Sequence, residues 1–335
     1  MRALHLGGGR ARVVDVPIPV AGPGEVPVQV ELAGVCATDV ALAAGYMGFE
    51  GVPGHEFVGT ALGGPLEGKR VVGEINAGCG DCQRCRAGDP RHCSRRTVLG
   101  ILGRSGAFAE RLVLPARNLL ALPEGLPVER AVFCEPFAAG LAVRGEWEAA
   151  VAGEPWLRQA PALVIGDGRL GLMCAAALAL EGPGGLGPPE VLLAGRHPER
   201  AKALPTAVRH LGQALPSSPT QAREALGRHG FVVEATGHPQ LLQGALATVQ
   251  PRGTLVLKTT TEQPSNLDLA ALVVDEIRLV GSRCGRFEPA LAQLARGEFA
   301  PEAFIAERFP LDRADEALDR AGQPGVLKVL VEIGL

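Results

Sequence analysis

Long apolar runs are missing from this 335-residue sequence. The longest helical apolar stretch, residues 170–180, falls far short of the ~20 residues a membrane-spanning helix needs, so no membrane partner is expected. No apolar signal core precedes the strand-like start Met1-Arg2-Ala3-Leu4-His5-Leu6, and a cytoplasmic, reducing location follows. A surplus of one charge is also absent. The 33 Lys and Arg stand against 36 Asp and Glu, and a net charge of −3 gives no electrostatic case for nucleic acid. Lysine itself is scarce, confined to Lys69, Lys202, Lys258 and Lys328, so nearly every cation is an arginine. There is no internal repeat, which excludes a repeat architecture, and the one biased segment is the Gly/Pro-rich stretch 181–189.

What remains is ordinary for a globular enzyme: 47% hydrophobic and 21% charged residues, in a chain long enough for two domains. Residues 1–140 read as short strands (13–16, 26–32, 69–73, 107–114) punctuated by Gly and Pro, hence a β-rich domain. The pattern turns helical over 138–151. From Pro161 strands at 162–165, 191–194, 231–234, 254–258 and 277–280 alternate with helices at 171–180 and 240–248. Such alternation predicts a parallel sheet covered by helices. A helix at 289–296 and a strand at 326–332 close the chain.

Gly166-Asp167-Gly168-Arg169-Leu170-Gly171 spells G-x-G-x-x-G between an apolar strand and an Ala/Leu-rich helix. A pyrophosphate needs a tight turn, close backbone approach and a helix N-terminus aimed at negative charge, and glycines in this context provide them. A glycine-rich turn without a ligand is the plainer alternative. In NAD sites the second strand usually ends in an acid that binds the ribose 2′-hydroxyl. Here Gly195-Arg196-His197 follows the strand, with no acid before Glu199. Nothing then repels a 2′-phosphate, and Arg196 can grip it bidentately, so NADP is favoured over NAD. Against this, Arg196 could be a solvated surface arginine.

Half of the eight cysteines, Cys79, Cys82, Cys85 and Cys93, fall within 15 residues. Four thiolates on one loop suit a closed tetrahedral zinc that leaves no position for substrate. An iron–sulfur run has a three-residue last gap followed by Pro, whereas this gap is seven and Ser94 follows. A second, dispersed set places Cys36, Thr38 and Asp39 beside one glycine turn, His55 and Glu56 beside another, and Cys134 with Glu135 further on. Each alone reads equally well as a core thiol, a turn residue or a helix-start acid. Together they offer the sulfur, nitrogen and oxygen donors that an open catalytic zinc needs.

Taken in order, GVCATD (34–39), GHEFVG (54–59), the four-cysteine segment, Glu135-Pro136 and GDGRLG (166–171) resemble the medium-chain zinc dehydrogenases over essentially the whole chain. Glu-Pro at the third position resembles the sorbitol, threonine and glucose dehydrogenase branch. The resemblance implies a GroES-like catalytic domain over 1–140 with a structural-zinc lobe at 79–93. It further implies a Rossmann cofactor domain over 141–285, a return of 286–335 to the catalytic domain, and a cleft between the two.

It also implies two zinc ions per chain, the catalytic one surrounded by Cys36, His55 and either Glu56 or Glu135, with Cys134 as an off-register alternative. Thr38 would take the substrate proton, Asp39 would orient the zinc histidine, and Ser282, within 280–284, would run beside the nicotinamide. Many relatives end the proton relay in a histidine where this chain has Ala41, and the loop 45–49 looks trimmed. The implied reaction moves a hydride between an alcohol, a secondary alcohol or polyol by preference, and NAD(P), in a homodimer or homotetramer acting on a small alcohol or carbonyl. Threonine dehydrogenase-like activity is the alternative within the family. A silent NADPH-binding protein would have no need of Thr38 beside Cys36, and a zinc-free enone reductase would lack Cys36, His55 and the cysteine lobe.

Overall fold

The computed structural model describes residues 1–180, 185, 187–261 and 263–334, so most of the 181–189 loop lies outside the described residues. The chain divides into two compact units, the first comprising Met1–Glu135, Phe287–Gly297 and the chain from Pro301 onward. Its spine is the strand Glu25–Gly34, in which Val26, Val28, Val30 and Leu32 turn inward at the period of two that a one-sided strand requires. Around it a seven-stranded sheet runs in the order Leu119–Ala121, Arg70–Gly73, Glu56–Ala61, Glu25–Gly34, Lys328–Glu332, Ile305–Pro310, with Arg111–Pro115 also pairing to the spine. The register sets Gly34 opposite Glu56 on one side and Leu330 on the other.

Several elements of this unit differ from the sequence reading, among them strand Ile305–Pro310 and helix Ala314–Gly322, which it did not contain. Strand Glu56–Ala61 was hidden by Gly54 and Gly59, which read as loop punctuation around a motif. Helix Ala37–Ala43 is seven residues long, too short for any apolar periodicity to register. The expected strand 107–114 is realised as Arg111–Pro115, while Ala109 only bridges to Ala3.

The second unit spans Pro136–Arg286 with Glu298–Ala300. Its six strands are all parallel, in the spatial order Val208–His210, Val191–Ala194, Ala162–Ile165, His229–Glu234, Val249–Leu257, Arg278–Gly281. Counted within the unit this is the doubly wound order of dinucleotide-binding sheets, reversing direction between Ala162–Ile165 and His229–Glu234. Strands Ala162–Ile165 and Val191–Ala194 are buried at every residue, which is why they read as unbroken apolar runs. Trp147, fully buried on helix Cys134–Gly153, packs edge-on against Phe231 at 5.2 Å and 89°. Among the described residues no helix is long and apolar enough to cross a membrane.

Candidate functional site

The spine strand and its neighbour bring the dispersed donors of the first unit together. One ligand atom each from Cys36, His55 and Glu56 lies within 4.8 Å of the others. Cys36 immediately precedes helix Ala37–Ala43, and His55 and Glu56 sit where strand Glu56–Ala61 begins. Asp39, fully buried, ties the two segments: it accepts the Cys36 N–H at 2.8 Å and the Gly54 N–H at 3.1 Å. Its Oδ1 also lies 3.3 Å from His55 Nδ1, without the alignment of a hydrogen bond. Burial opposes charge on the His55 ring, but Asp39 and Cys36 outweigh it and hold the imidazole pKa well above its usual range. The Cys36 thiol donates to Thr38 Oγ1 across 3.7 Å. Sulfur, nitrogen and carboxylate donors at this spacing, with an acid behind the histidine, fit a zinc ion.

Glu56 has a second attachment that the sequence did not disclose. Lys328, 3% exposed, forms an ion pair with Glu56 Oε2, approaches the Val35 carbonyl at 3.4 Å, and lies 5.3 Å over the Phe133 ring. Gly34 makes room for that carboxylate, since a Cβ there would collide with Glu56 Oε2. Glu135, in the first turn of helix Cys134–Gly153, is buried but stands outside the group of gathered ligand atoms. Cys134 donates to the Phe287 carbonyl across 3.7 Å, and burial, with help from Glu135 and Glu74, pushes its thiol well above the usual range.

The four-cysteine loop closes on itself. Ligand atoms of Cys79, Cys82, Cys85 and Cys93 lie within 4.8 Å of one another, and none of these cysteines is in a disulfide. Cys93 accepts the Cys79 N–H at 3.5 Å and the Arg95 N–H at 3.3 Å, and these bonds bring its thiol down to about 6 against the opposing effect of burial. Arg95 also reaches Cys79 Sγ at 3.2 Å while paired with Asp81. Four converging thiols, with N–H donors drawing Cys93 toward the thiolate while Asp81 pushes the Cys79 thiol up to about 11, fit a second, closed zinc site by their spacing.

In the second unit, Gly168 caps helix Arg169–Ala179 at the end of strand Ala162–Ile165. Gly171 lies so close to the Gly166 carbonyl that a Cβ there would collide with it, which keeps Arg169, Leu170 and the helix start tight against the strand. Arg196 is exposed after Val191–Ala194, and the Ser282 N–H donates to the Leu257 carbonyl at 3.1 Å. The sequence reading passed over three residues at these strand ends. Asp167 is buried within the glycine loop. Glu234 Oε1 accepts from Thr236 Oγ1 at 2.6 Å and Thr259 Oγ1 at 2.9 Å. Lys258 Nζ donates to the Ala139 and Arg283 carbonyls at 2.8 and 2.7 Å. The available signal for the buried lysines was their setting: Lys328 interrupts the apolar run 326–331, and Lys258 directly follows the apolar strand end 255–257.

A doubly wound nucleotide unit, joined in one chain to a β-rich unit carrying a Cys-His-Glu group, defines a dehydrogenase acting on alcohols. Residues 22–124 match the alcohol dehydrogenase GroES-like domain, and residues 129–333 match the glucose dehydrogenase C-terminus. The chain belongs to the medium-chain dehydrogenase/reductase family. It is 32% identical to the L-threonine 3-dehydrogenase of Streptomyces avermitilis over 294 residues, 80% of this chain and 79% of that one. Among solved structures it superposes with TM-score 0.82 on the short chain alcohol dehydrogenase RspB of Escherichia coli CFT073 complexed with NADH, at 26% identity and 99% coverage of both chains. A dehydrogenase of Sinorhizobium meliloti 1021 bound to NADP gives the same TM-score at 25% identity, covering 99% of this chain and 98% of that one.

Proposed function

We propose that this protein transfers a hydride between a secondary alcohol or polyol and NADP, with NAD as the lesser partner, using zinc. The observation that carries the reading is the approach of Cys36, His55 and Glu56 within 4.8 Å of one another, with Thr38 Oγ1 beside the Cys36 sulfur. Zinc held there, with Glu135 as the other candidate carboxylate, would supply Lewis acidity toward the substrate oxygen. Thr38 holds a hydroxyl where a substrate proton can be passed on, and with Ala41 in place of a histidine the relay ends in water or another group. Asp39 holds the backbone before His55 through the Gly54 N–H and sets a negative charge 3.3 Å from the ring, and Lys328 fixes the Glu56 carboxylate. A second zinc on Cys79, Cys82, Cys85 and Cys93 is structural. Residues 1–140 and 286–335 form the catalytic domain and 141–285 the cofactor domain. There Gly166, Gly168, Arg169, Leu170 and Gly171 cradle the pyrophosphate and Ser282 borders the nicotinamide.

A carboxylate in the ligand set leaves the metal harder and tolerant of extra substrate oxygens, which favours a diol over an unbranched primary alcohol. A β-hydroxy amino acid is the second reading, favoured by the 32% identity to a threonine dehydrogenase. The test is metal analysis, expected to find about two zincs per chain, followed by a panel of polyols, sugars, β-hydroxy amino acids and primary alcohols read at 340 nm. A primary alcohol winning by about tenfold, or 1.4 kcal/mol, would sink the polyol reading. Arg196→Ala should weaken NADPH binding about ten- to a hundredfold, the scale of one charge-assisted phosphate contact, and leave NADH binding unchanged. Tighter binding of NADH than NADPH by the wild type would make Arg196 a bystander.

A further inference from the structure

Lys258 is a buried cation that belongs to neither gathered set of metal donors nor to the glycine loop. It stands just past strand Val249–Leu257, at the carboxyl edge of the parallel sheet, where doubly wound units bind their nucleotides. Its backbone N–H donates to the Glu234 carbonyl at 2.9 Å, so strand pairing fixes its main chain. The side chain ends between helix Cys134–Gly153 and the segment after strand Arg278–Gly281. There Nζ donates to the Ala139 carbonyl at 2.8 Å and to the Arg283 carbonyl at 2.7 Å. An ammonium that is 6% exposed is tolerated only where its N–H donors are used, and its charge strengthens each such bond.

The segment that Lys258 reaches, residues 282–286, is neither helix nor strand, so no regular ladder fixes it. Three contacts do. The Ser282 N–H donates to the Leu257 carbonyl at 3.1 Å, the Arg283 carbonyl accepts from Lys258, and Gly285 lies so close to the Ala138 carbonyl that a Cβ would collide with it. The first is a main-chain bond that almost any residue could make, and the third needs only a glycine. The second exists because residue 258 carries a long cation. A further apolar residue there, like Val256 and Leu257 before it, would extend the strand's pattern and leave the Arg283 carbonyl without this donor.

We propose that Lys258 is a positioning residue for the nicotinamide half of the cofactor: by holding the Arg283 carbonyl it presets the backbone of 282–285 against which that half binds. The inference rests on the reading that Ser282 borders the nicotinamide. An irregular segment that must be ordered on binding takes the cost of ordering out of the affinity, and one already held does not. The pyrophosphate and adenosine half belongs to the loop after Ala162–Ile165 and to the end of Val191–Ala194, two and three strands away from Val249–Leu257. The effect of Lys258 is therefore confined to one end of the nucleotide, whereas a lysine that merely supported the fold would act on both ends alike.

The experiment is calorimetric titration of the zinc-loaded protein with NADPH and with 2′-phospho-ADP-ribose, which lacks the nicotinamide. If the wild type binds NADH more tightly, NADH and ADP-ribose replace them. Lys258→Met keeps an unbranched stem and removes the ammonium. It should weaken NADPH about tenfold, the scale of one charge-assisted bond, and change 2′-phospho-ADP-ribose by less than about twofold. Lys258→Gln, neutral but still a donor, should show a smaller loss of the same kind, and it carries the test if Lys258→Met does not fold. Equal losses for the two probes, or no loss for either, overturn the inference. Gly285→Ala displaces the same segment while leaving Lys258 in place, and it too should weaken NADPH alone. If it does so while the Lys258 variants bind both probes normally, only the role of Lys258 fails. If Gly285→Ala binds NADPH as the wild type does, the segment does not border the nicotinamide and the reading of Ser282 has failed as well.

Discussion

Replacing Cys36 by serine should lower kcat/KM by about a thousandfold or more, since Lewis acidity at the reacting oxygen is worth several kcal/mol and each 1.36 kcal/mol is a factor of ten. Zinc content should fall from two to one, measured by metal analysis on the same preparation. The fold should survive. The contact that anchors this segment, Cys36 N–H to Asp39 at 2.8 Å, is made by the backbone and is kept in the variant. Thr38→Ala separates proton handling from metal binding: both zincs should remain while kcat drops by ~10²–10⁴-fold, the usual contribution of a positioned proton-transfer group. A Cys36→Ser enzyme that keeps both metals and full turnover would remove Cys36 from the ligand set.

Lys328→Met should destabilise the protein without metal at the Cys36–His55–Glu56 group by about 3–5 kcal/mol in urea unfolding, the cost of leaving one member of a buried ion pair without its partner. Glu56 is 1% exposed and Lys328 3%, so water cannot take the place of the lost ammonium. Methionine keeps most of the stem that packs over Phe133, which assigns the loss to charge rather than volume. The double variant Glu56→Gln/Lys328→Met should recover a substantial part of the stability, because the orphaned charge is gone. If Lys328→Met alone unfolds at the wild-type urea concentration, the Glu56 carboxylate is neutralised by something other than this lysine.

The second unit was largely legible because its strands are buried on both faces and carry their signal in every residue. Ala162–Ile165 and Val191–Ala194 were read at their observed bounds, while the three-residue edge strand Val208–His210 offered too little pattern to see. In the first unit, glycine both marks loops and permits close packing, so the strand beginning at Glu56 was mistaken for a motif in a turn. For the candidate site, the donors were visible as residue types. What sequence could not supply was pairing across the chain. Asp167 looked like an arbitrary loop residue until its carboxylate was found against His197, and Lys328 until it was found against Glu56.

That last pair has a consequence for how the protein is made. Glu56 and Lys328 are 272 residues apart, and the whole of the second unit is encoded between them. On the ribosome, Cys36, His55 and Glu56 emerge early into a sheet whose central strand has one open edge. That edge is filled only when Lys328–Glu332 arrives and pairs with Leu32, Ala33 and Gly34. Pairing over such a separation is slow, and an open edge invites other chains in the meantime. Translation that stops before Lys328 would therefore yield every donor of the Cys-His-Glu group without the cation that steadies one of them. The ordered group is thus a report that synthesis has passed strand Lys328–Glu332.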